Sequence, residues 1–158
     1  MVLRACAVFL GAVWIATTTA CQPERASVED LYTTRMLGVS YLQRNQLPEA
    51  EAEFKKLTEL APDDPLGYAN LGLTYLQAGR YDEAEKQLQR ARELDPASTE
   101  VGLALGRLYS LTGRTSDARG MLERLRRESA GNAHVLYALA ELEAQQSDSA
   151  SARRYEDR

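Results

Sequence analysis

Between Pro65 and Ser98 the apolar and small residues fall into two stripes of helical period. Leu71, Gly72 and Tyr75 form one, and Ala84, Leu88 and Ala91 form the other after a break at Gly79-Arg80. Spacings of three to four residues are those of one helix face. Asp64 before Pro65 predicts a capped helix with a pre-set first turn, Asp82 restarts the chain as a second helix, and Pro96 ends it. Gly72 and Ala84 are expected on the facing sides of the two antiparallel helices. Missing side-chain bulk there lets the axes approach to about 8 Å. Leu71, Tyr75 and Leu88 then fill the space around that contact.

The same pattern recurs in register on both sides. Gly38, Gly72 and Gly106 are 34 residues apart, and the sets Tyr41, Tyr75, Tyr109 and Ala50, Ala84, Ala118 keep the same step. A fixed period of that length marks stacked copies of one helix-turn-helix. In the first copy Ser27 with Asp30 predicts a capping-box start, a helix to about Arg44 and a partner from Pro48 to about Leu60. Asn45 supplies the break that Gly79 and Gly113 supply later. The third copy uses Ser98 and Ser116 as caps, and Gly131-Asn132 stops it. A fourth copy begins with a helix from Ala133 to about Gln146, carrying Leu136 and Leu139, but has Ala140 and Glu143 in place of the repeated glycine and tyrosine. Ser147 to Arg158, with Ala152 in phase with Ala118, is expected as a short second segment. It is either a solvating cap, which repeat arrays need, or the point from which a longer protein continues.

On these residues the chain resembles the tetratricopeptide-repeat family over roughly residues 31 to 146. The resemblance implies an all-α fold, a right-handed superhelical solenoid of three repeats plus a partial fourth. The implied divisions are 31–64, 65–98, 99–132 and a partial repeat or cap at 133–158. The family's early tryptophan is Thr34, Tyr68 and Gly102 here, and the small residue of the second helix is Leu57 and Leu125 in the outer copies. These departures bear on how tightly the outer units close.

Ahead of the repeats, residues 1–20 have the layout of a secretory signal: Arg4, an apolar run from Ala5 to Ala16, then Thr17-Thr18-Thr19-Ala20. The run is too short to span a bilayer. Small residues followed by Cys21 resemble a bacterial lipobox, in which that cysteine is acylated and becomes the new N-terminus. Thr18 stands where the lipobox usually has leucine, and Thr18-Thr19-Ala20 also suits ordinary signal peptidase. Both an acylated and a soluble periplasmic product therefore stay open. Gln22 is not the aspartate of inner-membrane retention, so an outer-membrane lipoprotein facing the periplasm is expected, with residues 21–30 as a short tether. Cys6 leaves with the presequence, which excludes an internal disulfide.

The chain has 158 residues, 44% of them hydrophobic, with a net charge of −4. The acidic balance argues against a general nucleic-acid binder, whose footprint is a basic face. The run Glu123 to Glu128 holds three arginines and reads as an exposed helix end matched to the local dipole. His134 has no neighbouring cysteine, second histidine or serine, and no glycine-rich loop follows a strand. No catalytic residue, metal or cofactor is expected.

The resemblance does imply a binding surface. In this family the first helix of each pair lines a concave wall. On this chain the implied wall positions include Arg35, Val39, Leu42, Leu66, Ala69, Leu73, Leu76, Leu103, Arg107 and Tyr137. Such a wall suits an extended or helical apolar peptide, with Arg35 and Arg107 orienting it by charge. The opposing possibilities are that Leu42 and Leu76 are buried between repeats or that the N-terminal segment fills the groove. The clamp by which some family members grip a chaperone's terminal carboxylate is matched only by Asn70 and, as a conservative exchange, Arg35; Val39, Glu100 and Ala104 depart from it. The expected function is a non-catalytic scaffold for a protein or peptide partner at the cell envelope. It resembles the repeat lipoproteins that assist assembly of pilus secretins, outer-membrane proteins or cell-wall enzymes. The alternative is an N-terminal repeat module of a larger exported protein.

Overall fold

The computed structural model describes residues 27–156, with side chains to residue 147. The presequence, Cys21 and the first part of the tether lie outside the described residues. Among the described residues there are seven helices and no strand: α1 (Val28–Gln43), α2 (Leu47–Leu60), α3 (Pro65–Gln77), α4 (Tyr81–Leu94), α5 (Thr99–Leu111), α6 (Thr115–Glu128) and α7 (Ala133–Glu156). They pack as an all-α solenoid. The closest pairs are α1 with α2, α3 with α4 and α5 with α6, and each pair stacks on the next. No described helix is long and apolar enough to cross a membrane.

Local chemistry sets the first helices. Ser27 and Asp30 form a full capping box: the Asp30 N–H donates to Ser27 Oγ at 3.0 Å and the Ser27 N–H donates to the Asp30 carboxylate at 3.2 Å. Asp64 caps α3 through the Leu66 N–H at 2.9 Å, and Ser98 caps α5 through that of Val101. Asn45, Gly79 and Gly113 then adopt positive φ of 58°, 74° and 74°. At the second of these turns the Arg80 N–H reaches the Tyr75 carbonyl and the Gly79 N–H reaches that of Leu76, a Schellman closure.

The second helices start otherwise than expected. Asp82 and Ser116 cap nothing, because α4 and α6 begin at Tyr81 and Thr115 with Arg80 and Arg114 at the cap position and no side-chain cap bond. The Arg80 N–H closes α3 while its carbonyl accepts the first helical bond of α4 from the Ala84 N–H at 3.0 Å. One peptide residue thus ends one helix and opens the next.

Packing also corrects the expected facing pair. A Cβ on Gly72 would lie 2.6 Å from Leu88 Cγ, so the glycine faces Leu88, one turn beyond Ala84. Gly38 meets Phe54 and Gly106 meets Leu122 in the same way. Ala50, Ala84 and Ala118 are completely buried beside these contacts. The large Leu125 of the third unit is accommodated by Gly102, whose Cβ would stand 2.8 Å from it. Where the second helix carries the small Ala91 instead, the register position of Gly102 holds the bulky Tyr68. The outer departures noted in the sequence are therefore a size exchange between helices, at least in the third unit.

The fourth unit departs most. Ser147 stands 34 residues beyond Gly113, where the earlier units turn, yet α7 runs straight through it. The expected separate segment from Ser147 is instead the continuation of α7. Serine there bonds through Oγ to the Ala144 carbonyl at 2.8 Å, and a serine resists the left-handed conformation that Asn45, Gly79 and Gly113 adopt.

Candidate functional site

Helices α1, α3, α5 and α7 lie side by side and present one face away from their partners. The repeat register brings the implied wall residues onto this face, but not all to its surface. Arg35, Leu66, Leu73, Arg107 and Tyr137 are exposed, with Leu66 at 39%, Leu73 at 38% and Tyr137 at 70%. Val39, Leu42, Ala69 and Leu103 are half-buried and pack against the core. Leu76 is buried at 7% exposure, so it supports the wall from beneath rather than lining it.

Tyr32, Met36 and Leu111 are further exposed apolar residues on these helices. The signal for them was present in the sequence. Tyr32 is one repeat step before Leu66, and Met36 and Leu111 share register with Asn70 and Gln77.

The charges on this face are uncommitted. Arg35, Glu100, Arg107 and Glu141 make no ion pair among the described residues, whereas the cations at the turns are paired: Arg80 with Glu51 and Glu83, Arg114 with Glu85 and Asp117. The basic run at the end of α6 is exposed at Arg124, Arg126 and Arg127, with Arg126 tied to Glu123 at 2.9 Å. His134 is exposed at the start of α7, where the Asn132 side chain accepts its backbone N–H at 3.0 Å. No cluster of metal-ligating side chains occurs among the described residues.

Comparison with solved structures finds this arrangement in several peptide complexes. The second repeat domain of human RPAP3, solved with the HSP70 peptide SGPTIEEVD, superposes with a TM-score of 0.67 at 19% identity, over 73% of this chain and 96% of that one. The type III secretion chaperone SycD of Yersinia enterocolitica, in complex with a peptide of the translocator YopD, gives 0.68 at 17% identity, over 76% and 97%. The TPR2B domain of yeast Sti1, in its pHsp70 complex, gives 0.69 at 17%, over 74% and 98%. At these identities the likeness is one of fold. No curated protein matches the sequence significantly. Tetratricopeptide-repeat family models match residues 35–99 and 75–142, which together run through all three helix pairs and into α7. The chain belongs to the tetratricopeptide-repeat family.

Proposed function

We propose that the chain is a non-catalytic interaction module that holds an extended segment of a partner protein along the face of α1, α3, α5 and α7. In this reading it works at the cell envelope, tethered through acylated Cys21. The observation that carries the binding half is the exposure of Tyr32, Met36, Leu66, Leu73, Leu111 and Tyr137 on these four helices. Scattered exposed apolar residues are ordinary, but a concentration of them on one set of helices marks an interaction surface. The RPAP3 and SycD domains, built on the same fold, were solved with peptides of other proteins. Because Val39, Glu100 and Ala104 break the carboxylate clamp, recognition rests on apolar side chains rather than on a chain terminus.

The envelope half rests on the N-terminal pattern, a short apolar run ending in Thr18-Thr19-Ala20-Cys21. Two or three acyl chains on that cysteine suffice for stable attachment, where a single chain binds only marginally. Labelling with a radioactive fatty acid tests it: incorporation is expected in the wild type and lost in Cys21→Ser, which then fractionates as soluble. An unlabelled wild type overturns the anchor.

Partner capture from detergent-solubilised envelopes tests the binding half, using the wild type, Leu73→Glu and the control Lys86→Glu on α4. Leu73 is exposed enough for the change to leave the fold intact, which the helical circular dichroism checks. The reading predicts a partner retained by Lys86→Glu and lost by Leu73→Glu. Retention by both, or loss by the control alone, places the surface elsewhere.

A further inference from the structure

The groove is uneven along its length. Between α3 and α5 lies a small cleft of about 50 Å³, lined by Leu66 and Leu73 of α3 over Leu88. Between α5 and α7 stands a pocket of about 400 Å³, within the range of small ligand sites. The cause is a change of side chains at fixed register. Arg107 occupies the position of Leu73 and Ser110 that of Leu76, so neither fills the space with a branched apolar side chain. Gly106 and Ala138 add little bulk, as Gly72 and Ala104 do one unit earlier, so the difference lies at Arg107 and Ser110.

The lining is sorted by chemistry. Leu122 forms the floor, with Leu111, Ala138 and Leu142 as further apolar lining. Ser110 donates to Gln145 Oε1 at 2.8 Å, a bond that joins α5 to α7 within the lining. Arg107 on α5 and Glu141 on α7 are the exposed charges of the pocket, at the same register in successive units and opposite in sign. Neither has an ion-pair partner among the described residues. An apolar floor with one free charge of each sign beside it complements an apolar residue flanked by opposite charges.

Resting on the peptide-binding reading above, we infer that this pocket is the anchor site of the groove. It takes one bulky apolar side chain, aromatic or leucine-like, of an extended partner segment whose neighbouring residues set an acidic group on Arg107 and a basic group on Glu141. Alternate residues of an extended chain point the same way, so the charged flanks belong two residues before and two after the anchor. The anchor supplies most of the affinity, as buried aromatic contacts do at interfaces. The exposed charges choose among partners more than they tighten binding.

The test is fluorescence anisotropy of the full chain with nine-residue probe peptides. The central residue is Phe or Ala, and the positions two before and two after carry Asp and Lys in either order, or Ser at both. Peptides with central Phe are expected to bind at least about tenfold more tightly than those with Ala, a difference of about 1.4 kcal/mol. The better Asp/Lys order is expected to exceed the Ser form. Leu111→Glu, at a half-exposed position, abolishes the Phe preference with the helical signal unchanged. Arg107→Glu removes the advantage of charged flanks, and combining it with Glu141→Arg restores that advantage, because the pocket again offers one charge of each sign. Equal binding of Phe and Ala peptides, or binding of neither, overturns the anchor site. So does a Phe preference that survives Leu111→Glu. The capture experiment with Leu73→Glu does not touch this pocket, so it reports separately whether the groove reading stands.

Discussion

Arg114 Nη1 lies 2.8 Å from both carboxylate oxygens of Glu85, across the junction between the second and third helix pairs. Its guanidinium carbon also sits 4.2 Å from the centre of the Tyr109 ring. One repeat earlier Arg80 makes the matching bond to Glu51 at 2.8 Å and stacks 4.4 Å from Tyr75. At the last junction the signs are exchanged. Arg119 occupies the register of Glu51 and Glu85, and Glu143 that of Tyr75 and Tyr109. These two stand 3.6 Å apart, and Arg119 also donates to Gln146 at 2.8 Å. Helix α7 thus meets α6 through the reverse arrangement of charge.

Reversing Arg119 tests that matching. In Arg119→Glu a carboxylate faces Glu143, and the amides of α7 are expected to exchange with solvent faster while those of α1 to α4 keep their rates. Adding Glu143→Arg restores the pair and the protection of α7. Uniform acceleration along the chain, or no recovery in the double variant, contradicts the assignment.

Acid sensitivity follows from Glu51. Burial pushes its carboxyl up, but hydrogen bonds from Lys55 and Tyr75 and the charges of Lys55 and Arg80 outweigh burial and hold it below the ordinary glutamate value of 4.5. A carboxylate depressed on folding contributes stability that is fully present above its unfolded value and is lost as pH falls through the folded value. The stability difference between wild type and Glu51→Gln is therefore expected to be constant near neutrality and to shrink below 4.5. Urea midpoints at a series of pH values measure it, and a difference that grows on acidification contradicts the account.

Gly72 sets the approach of α3 to α4. A Cβ there would meet Leu88 Cγ at 2.6 Å and the Leu88 backbone nitrogen at 3.2 Å. The side chain can rotate away, but the backbone cannot do so cheaply. Gly72→Leu is expected to cost about 1 to 3 kcal/mol through overpacking, seen as a lower urea midpoint at unchanged slope. An unchanged midpoint would mean that the two helices are further apart than described.

The turn residues separate backbone from packing effects. Gly79 has a φ of 74° with nothing near its would-be Cβ, so Gly79→Ala meets only conformational strain. The expected loss is about 1 to 2 kcal/mol. Asn45→Gly relieves a non-glycine residue at φ 58° but removes the side-chain oxygen that accepts the Gln77 amide at 2.8 Å, so it is expected to lose less than Gly79→Ala. Thermal melts of both variants check the pair, and a larger loss in Asn45→Gly than in Gly79→Ala contradicts it.

The repeat itself was readable because its small and turn-forming residues hold fixed places: Gly72 and Gly79 recur in kind because the close contact and the left-handed turn admit little else. The starts of α4 and α6 were not readable from Asp82 and Ser116, since Arg80 and Arg114, whose backbone N–H groups close the preceding helices, also take the cap position and make no side-chain cap bond. Leu76 and Leu73 are identical residues three apart on one helix, and only packing against the neighbouring helices distinguishes the buried one from the exposed one. The pocket beside Arg107 was equally hidden. It opens where Arg107 and Ser110 replace Leu73 and Leu76 on a helix faced by Ala138 of α7, a property of two helices rather than of any motif. At Ser147 the sequence showed the 34-residue phase but not that losing glycine there lets α7 continue.

The central claim is that the partner lies on the face of α1, α3, α5 and α7, and the most direct measurement is photo-crosslinking in the cells that make the protein. Benzoylphenylalanine is introduced separately at Leu73 and at Lys86, and covalent adducts are resolved by mass. The account predicts a discrete adduct from position 73 and none from position 86. An adduct from position 86 with none from position 73 would contradict it and move the interaction to the outer surface formed by the second helices.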